Sequence, residues 1–199
     1  MNKENWWRNR KIDWEKSYWT PRHPHRILIL REMLRFVFKS VFEIGCGAGV
    51  NLANIYNVFR GVEVGGTDVN PDAIALAKKM VPYAKDLEIG TTDDIFFSDK
   101  SIDLIIADAV LLYVDRKKIH KTIKELARVV RNGVVFCEPY DPRWWKRIWV
   151  GNKEKMYLHN YPKLLEKYGF YDVKVTKIEK QFWDDSLWYT YGYIISAKI

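Results

Sequence analysis

The sequence predicts an α/β fold of three layers, in which helices cover both faces of a mainly parallel, seven-stranded sheet. The first observation is that strand-like apolar segments alternate with amphipathic helical segments between residues 41 and 138. Such alternation is typical of parallel strands joined by helical crossovers. The second observation is a pair of strand-like segments near the end, 171–178 and 187–198, which predicts an antiparallel hairpin at one sheet edge.

The individual elements follow from apolar periodicity and from start and stop signals. The predicted strands cover residues 41–44, 62–67, 86–89, 102–107, 134–137, 171–178 and 187–198. The predicted helices cover residues 22–39, 50–59, 71–80, 116–130 and 159–168. The strand at 102–107 shows little alternation of apolar and polar residues, as expected for a strand that is covered on both faces.

For two of the predicted helices, the sequence also predicts which side chains are buried or cap the helix. In helix 22–39, an apolar stripe should face the core, and its members are Ile27, Leu28, Leu30, Met33, Leu34 and Val37. Arg26 belongs to the polar stripe of the same helix. The helix at 71–80 should begin with Asn70 as its cap, because an asparagine side chain accepts hydrogen bonds from the first free N–H groups.

Length and composition fit one globular domain, residues 1–199. Hydrophobic residues make up 48% of the chain and charged residues 29%, which disfavours disorder, collagen and coiled coil. The longest apolar stretch, 102–114, contains two aspartates and is shorter than the roughly 18 residues that a membrane span needs. The two cysteines have no metal-ligand spacing, so no metal is expected. With no apolar leader at the start, we expect a cytoplasmic protein.

Right-handed crossovers place the ligand crevice at the carboxyl ends of the first, second and fourth strands. A glycine-rich turn follows the first of these strands and reads Glu43-Ile-Gly45-Cys46-Gly47-Ala-Gly49. The dinucleotide pattern G-x-G-x-x-G would need glycine at position 50, where this chain has valine. Asp68 ends the second strand, where a carboxylate can accept hydrogen bonds from both ribose hydroxyls of NAD or of S-adenosylmethionine.

The turn, with an acid two residues ahead of its first glycine, resembles that of the class I S-adenosylmethionine-dependent methyltransferases. Residues 90–103 also resemble a stretch of the quinone-biosynthesis-type members of that family. The resemblance implies a Rossmann-like fold and S-adenosyl-L-methionine as the cofactor. The cofactor-binding residues that it implies are Glu43, Gly45, Cys46, Gly47, Gly49, Asp68, Val69, Thr91, Thr92, Asp93 and Asp108.

Each part of that set has an implied role. Glu43 engages the cofactor amino group, and the glycine turn wraps its methionine part. Thr91 and Thr92 border the adenine, although the family has aspartate where this chain has Thr91, so Asp93 is the substitute carboxylate. Asp108 leaves the fourth strand and borders the space between sulfonium and acceptor.

Methyl transfer from a sulfonium is an in-line displacement that depends mainly on positioning. A base is needed only for an acceptor with a poorly ionised hydroxyl or an ammonium group. Asp108, Glu138 and His25 are the candidate catalytic residues, with His23 as an alternative histidine in the same segment. Asp108 and Glu138 are equally compatible with structural roles at strand ends.

The two ends of the chain are basic and rich in tryptophan. Residues 1–40 carry 10 basic and 4 acidic side chains, and none of the nine tryptophans lies between residues 20 and 143. We therefore predict a helical lid at 1–40, a cofactor-binding core at 41–138, and a substrate-side insertion with the closing hairpin at 139–199. Aromatic walls of this kind suit a planar, apolar or cationic acceptor.

Several functions remain open from the sequence. The leading hypothesis is methyl transfer to an oxygen or nitrogen atom of a small molecule. Trp144, Trp145 and Trp149, interleaved with basic residues, also suit single-stranded RNA as the acceptor. A non-catalytic binding module and a dehydrogenase are further alternatives. The same tryptophans can instead pack the ends onto the core or form a homodimer interface.

Overall fold

A seven-stranded sheet forms the centre of the structure, a computed structural model that describes residues 3–199. Its strands are β1 (Ser40–Ile44), β2 (Glu63–Asp68), β3 (Leu87–Ile89), β4 (Ile102–Asp108), β5 (Val130–Pro139), β6 (Tyr171–Lys177) and β7 (Gly192–Lys198). Their order across the sheet is β3-β2-β1-β4-β5-β7-β6. Only β7 runs against the others, pairing antiparallel with both β5 and β6. This arrangement confirms the predicted fold, including the antiparallel hairpin at the edge.

Helices cover both faces of the sheet. They are α1 (Lys3–Arg8), α2 (Trp14–Tyr18), α3 (His25–Met33), α4 (Val50–Val58), α5 (Pro71–Met80), α6 (Lys118–Val129), α7 (Trp144–Glu154), α8 (Tyr161–Lys167) and α9 (Ser186–Tyr191). Buried side chains of α3, α4 and α5 share one apolar cluster with one face of the sheet. Those of α6 and α8 share a second cluster with the other face. The molecule is therefore the expected three-layer sandwich.

The central strand β4 shows why the sheet stays in register between two layers. All of its residues from Ile102 to Ala107 are buried. Leu104 and Ile106 pack into the cluster on the α4 side, whereas Ile105 packs into the cluster on the α6 side. Successive side chains of a strand point to opposite faces, so a one-residue shift would exchange these two sets of contacts.

The helix predicted at 22–39 is shorter than expected, because α3 ends at Met33. The chain then continues through i to i−3 hydrogen bonds as it turns toward β1, so the 3.6-residue period no longer applies. As a result Leu34 and Val37 are 70% and 87% exposed. Ile27, inside α3, is also 52% exposed, so the prediction was wrong for these three residues, whereas Met33 is buried and Leu28 and Leu30 pack against the core. Arg26, expected on the polar face, is buried.

The segment predicted as a strand at 187–198 is helical in its first part. Asp185 caps α9 by accepting hydrogen bonds from the N–H groups of Leu187 and Trp188, and β7 begins only at Gly192. The aromatic and apolar residues of α9 have strand propensity, so the cap was the only local sign of a helix. The cap predicted at Asn70 is confirmed, since its side chain accepts from Asp72 and Ala73.

No helix in the described part of the chain is long and apolar enough to cross a bilayer.

Candidate functional site

A cavity of about 590 Å³ opens at the carboxyl ends of β1, β2 and β4. Residues that follow each of these strands line it, including Gly45, Asp68 and Asp108. Its place is the one that the strand order predicts, where neighbouring crossovers diverge to opposite faces of the sheet. The volume is typical of sites for small ligands.

The glycine turn after β1 forms one wall of the cavity and needs its glycines for steric reasons. Gly45, Gly47 and Gly49 have φ angles of +68°, +52° and +82°. A methyl group built on Gly45 would lie 2.3 Å from Cγ2 of Val110, and one on Gly49 would lie 2.9 Å from the side chain of Val81. Gly49 shapes the turn and starts α4, but it does not line the cavity.

Asp68 fixes the end of β2 to the glycine turn. Its Oδ2 accepts from the N–H of Gly47 at 3.0 Å, and its Oδ1 accepts from the N–H of Asn70 at 2.9 Å. Burial raises the pKa of this carboxyl. Asp68 and the following Val69 both line the cavity, so the carboxylate keeps lone pairs that can meet a ligand.

Glu43 lies on β1 beneath the turn and is buried. Its Oε1 accepts from Nδ2 of Asn51 at 2.7 Å. Its Oε2 is buried and has no hydrogen-bond partner among residues 3–199. Burial raises the pKa of Glu43 to about 8. A buried oxygen without a partner is costly, so this position favours a ligand that donates to it.

Asp108 ends β4 and binds three side chains from the two helices α3 and α4. Its Oδ2 accepts from His25 Nε2 at 2.9 Å, from Asn51 Nδ2 at 3.0 Å and from Arg26 at 3.2 Å. Burial alone would raise the pKa of Asp108, but His25 and Arg26 hold it well below its usual range. The structure therefore places an ionised carboxylate on the cavity wall, and its Oδ1 has no partner in the described chain.

Two histidines extend this cluster along the cavity. Nδ1 of His25 lies 2.5 Å from Nδ1 of His23, so one ring donates to the other. Trp183 stacks on the His25 ring with a centroid distance of 4.1 Å, and Trp188 stacks on Trp183 at 3.9 Å. These contacts fix the orientation of His25, whereas His23 is only partly buried. Both histidines and Trp183 line the cavity.

An aromatic cover from the N-terminal helices closes one side. Trp14 is buried over the glycine turn, and its ring lies 5.0 Å from Tyr18 and 6.2 Å from Trp7. Trp7 also contacts Tyr113 at 5.1 Å. The indole N–H groups of Trp7 and Trp14 are buried without a partner in residues 3–199. All four rings line the cavity.

The cover is tied to the core by polar contacts as well. Nδ2 of Asn70 donates to the carbonyl oxygens of Trp7 and Arg10 at 2.7 and 2.9 Å. Lys118 on α6 forms an ion pair with Glu4 on α1. The residue that caps α5 thus also holds α1 and the residues after it near the cavity.

Comparison with known proteins gives a family match in the central part of the chain. Residues 41–133 match a family model described as a methyltransferase domain. This core is therefore similar to a methyltransferase domain. The cofactor of the class I methyltransferase fold is S-adenosylmethionine, so the resemblance seen in the glycine turn is confirmed.

The methyltransferase core also has a curated relative. The fatty-acid O-methyltransferase of Mycolicibacterium smegmatis is 32% identical over 117 residues, which cover 55% of this chain and 41% of the relative. The chain spans less than half the length of the curated relatives that it matches.

Solved structures share the fold of most of this chain. An S-adenosylmethionine-dependent methyltransferase from Archaeoglobus fulgidus has a TM-score of 0.65 at 18% identity, covering 87% of this chain and 94% of that one. The geranyl diphosphate C-methyltransferase of Streptomyces coelicolor A3(2) has a TM-score of 0.66 at 13% identity, covering 87% and 78%. That structure contains Mg²⁺, geranyl diphosphate and S-adenosyl-L-homocysteine. At such identities the likeness shows the fold alone.

The buried polar atoms of the methyltransferase core fit its cofactor. S-adenosylmethionine carries an ammonium group, a carboxylate, a ribose diol and an adenine. The unpartnered Oε2 of Glu43 suits the ammonium group, and the lone pairs of Asp68 suit the diol. The unpartnered indole N–H of Trp14, above the glycine turn, suits an anionic or carbonyl oxygen.

Some predicted site residues lie off the cavity wall. Glu138, a candidate catalytic residue, is fully buried, and its carboxylate accepts from the N–H groups of Val110, Leu111 and Leu112 at 2.7 to 3.1 Å. The structure therefore makes Glu138 a support for the loop after β4 rather than a group that meets the acceptor. Cys46 lines the cavity, as predicted for the turn.

Of the residues predicted to border the adenine, some line the cavity and others do not. Thr92 and the preceding Gly90 line the cavity. Thr91 borders a neighbouring shallow pocket instead. Asp93 pairs with Lys118 and Lys121 at 2.8 and 3.2 Å and does not line the cavity, so its carboxylate is already engaged.

Three residues of the methyltransferase site were not found from the sequence. Asn51 links Glu43 to Asp108, and its position in the first turn after the glycines was an available sign. Arg26 follows His25 directly, but the helical pattern assigned it to solvent. Trp183 is brought to His25 by tertiary packing, which no local pattern shows.

His25, Asp108 and Cys137 also bring together three atoms of metal-ligand type within 4.8 Å. The guanidinium of Arg26 lies 3.2 Å from Asp108 Oδ2. Arg26 therefore supplies at this carboxylate the positive charge that a metal ion would bring.

Proposed function

We propose that the chain is an enzyme that transfers a methyl group from S-adenosylmethionine to an oxygen or nitrogen atom of a small-molecule acceptor. The observation that carries this proposal is a single covered cavity that joins the cofactor-type residues Glu43 and Asp68 to the cluster of His23, His25 and Asp108. When bound, the cofactor supplies an electrophilic methyl group on its sulfonium. The residues of the chain then have to hold the acceptor in line and exclude water.

The cover formed by α1 and α2 supports a small acceptor. Its aromatic rings close the cavity over the glycine turn, and buried contacts to Asn70 hold it there. A polynucleotide needs an open basic groove, so the covered cavity favours a small molecule over the RNA acceptor that the basic ends also suit. We assign the acceptor side of the cavity to His23 and His25 together with Tyr113, Tyr157 and Trp183.

The histidine cluster supports an acceptor that must lose a proton. His25 donates from Nε2 to the ionised Asp108, which leaves His25 Nδ1 to accept from His23 Nδ1. His23 Nε2 is then the free base. As the acceptor O–H or N–H gives its proton to His23 Nε2, the Nδ1 proton of His23 passes to His25. The resulting His25 imidazolium is stabilised by Asp108.

The pKa of His23 is compatible with this role. Partial burial lowers the pKa of His23 below its ordinary value of 6.5, and the positive charge of Arg26 acts in the same direction. The ring is therefore neutral at pH 7 and able to accept a proton. The similarity to a fatty-acid O-methyltransferase supports oxygen as the acceptor atom.

The cofactor is tested by calorimetric titration with S-adenosylmethionine, S-adenosylhomocysteine and NAD. We expect binding of the first two and no binding of NAD. Binding of NAD alone would contradict the proposal, because the same Asp68 also suits a dinucleotide ribose.

The transfer is tested by following S-adenosylhomocysteine formation with a panel of phenols, carboxylic acids, amines and prenyl compounds. The matched variants are His23→Gln and His120→Gln, since His120 is an exposed histidine outside the cavity. For a phenol or amine we expect His23→Gln to lower kcat by about 10²–10⁴ and His120→Gln to leave it unchanged. Turnover of carbon acceptors alone would contradict the oxygen or nitrogen assignment, and cofactor binding with no turnover at all would favour a non-catalytic module.

A further inference from the structure

Helix α7 presents an exposed aromatic face that the proposed methyl transfer does not use. Trp144, Trp145 and Trp149 are 67%, 50% and 57% exposed, and Ile148 is also exposed. None of the four lines the cavity. Positions 144, 145, 148 and 149 fall on one side of a helix, because residues four apart are one turn apart. Large exposed apolar patches of this kind mark interaction surfaces.

Basic side chains surround these rings. Segment 141–155 contains five of them, Arg143, Lys146, Arg147, Lys153 and Lys155, against the acids Asp141 and Glu154. Asp141 pairs with Arg143 at 2.7 Å, so the lysines carry most of the uncompensated charge. Lys153 and Lys155 are exposed, whereas Val150 and Gly151 anchor the opposite side of the helix in the protein. The face is therefore both apolar and positively charged.

The positions of the cations relative to the tryptophan rings favour a lipid bilayer over a nucleic acid as the anionic partner. Arg143 and Lys146 lie 5.5 and 5.7 Å from the ring centroid of Trp145, and Lys153 lies 5.7 Å from that of Trp149. These cations occupy ring faces on which nucleic acid bases would have to stack. A bilayer surface makes no such demand, since indoles enter the headgroup region edge-on while cations reach lipid phosphates.

We propose that this face of α7 docks on the surface of an anionic phospholipid bilayer. The tryptophan and isoleucine side chains enter the interface, and the surrounding lysines and arginines bind the lipid phosphates. The helix is amphipathic and short, so it lies on the membrane. Because Tyr157 lines the cavity and follows α7 closely, docking brings the cavity near the lipid surface.

The test is co-sedimentation of the full chain with vesicles of phosphatidylcholine alone and of phosphatidylcholine containing phosphatidylglycerol. We expect binding to the second kind only, weakening as salt is raised. The double variant Trp144→Ser, Trp149→Ser should reduce binding by about tenfold or more. The matched control is Leu34→Ser, Val37→Ser, which removes exposed apolar surface elsewhere and should leave vesicle binding unchanged.

Several outcomes would overturn the inference. These are no binding to phosphatidylglycerol vesicles even at low salt, an equal loss in both double variants, and tryptophan-dependent binding of a single-stranded oligonucleotide in place of vesicles. Concentration-dependent dimerisation that needs Trp144 and Trp149, without vesicle binding, would assign the face to a second copy. Affinity for S-adenosylhomocysteine serves as the folding control, because none of the substituted residues lines the cavity.

Discussion

Replacing Gly45 by alanine tests the steric basis of the cofactor turn. The backbone there has φ +68°, a conformation that costs a non-glycine residue about 1–2 kcal/mol. The added methyl group would also lie 2.3 Å from Cγ2 and 2.7 Å from Cβ of Val110, and overpacking of this kind costs about 1–3 kcal/mol. We therefore expect the free energy of unfolding to fall by about 2–5 kcal/mol.

Gly61 provides the matched control, since it has φ +79° but no atom within 4 Å of an added methyl group. Gly61→Ala should cost only the backbone part, about 1–2 kcal/mol. Val110→Ala in the Gly45→Ala background removes the Cγ2 contact but leaves Cβ, so it should restore stability in part. Urea unfolding gives the stabilities, and titration with S-adenosylhomocysteine should show weaker binding for Gly45→Ala alone. Equal losses at Gly45 and Gly61 would refute the steric argument.

Three further predictions concern the cavity wall. Burial raises the pKa of Glu43 in the folded protein to about 8, above its ordinary value of 4.5. The stability that the protonated Glu43 contributes is therefore complete below pH 4.5 and is lost as the pH rises through 8. Glu43→Gln should reduce this loss by about 1.4 kcal/mol per pH unit, measured as the free energy of unfolding at a series of pH values. Asp68→Asn should weaken binding of S-adenosylhomocysteine by about tenfold or more in calorimetry, through loss of charge-assisted hydrogen bonds, whereas Asp99→Asn at an exposed site should not. Trp14→Phe removes a buried N–H without a partner, and should weaken the same binding by about fivefold; unchanged affinity would separate Trp14 from the cofactor.

The cofactor side of the molecule was largely readable from the sequence because its signals are local. The Gly45–Gly49 turn and the cap at Asn70 each depend on residues within a few positions, and both appear in the structure as expected. The acceptor side was less readable. Glu138 and Asp108 both follow strands in sequence, yet only Asp108 lines the cavity, because backbone N–H groups take up the other carboxylate.

Long-range packing explains the remaining differences. Arg26 follows a helical period that assigns it to solvent, but Asp108 and Asn51 draw it inward across the sheet edge. Trp183 stacks on His25 although more than 150 positions separate them in the chain. No window of sequence contains both partners of such a contact, so periodicity and capping rules cannot reveal it.

The strand order β5-β7-β6 has a consequence for how the molecule assembles. β6 joins the sheet only through β7, which comes later in the chain, so β5 keeps an open edge until β7 is in place. Trp183 belongs to the segment that connects β6 to β7, and it stacks on the His25 ring. A growing chain that stops short of β7 therefore leaves β5 exposed and gives β6 no strand to pair with. The segment that carries Trp183 is held at both ends only once β7 has paired, so the stacking on His25 that the proposed proton transfer uses is completed last.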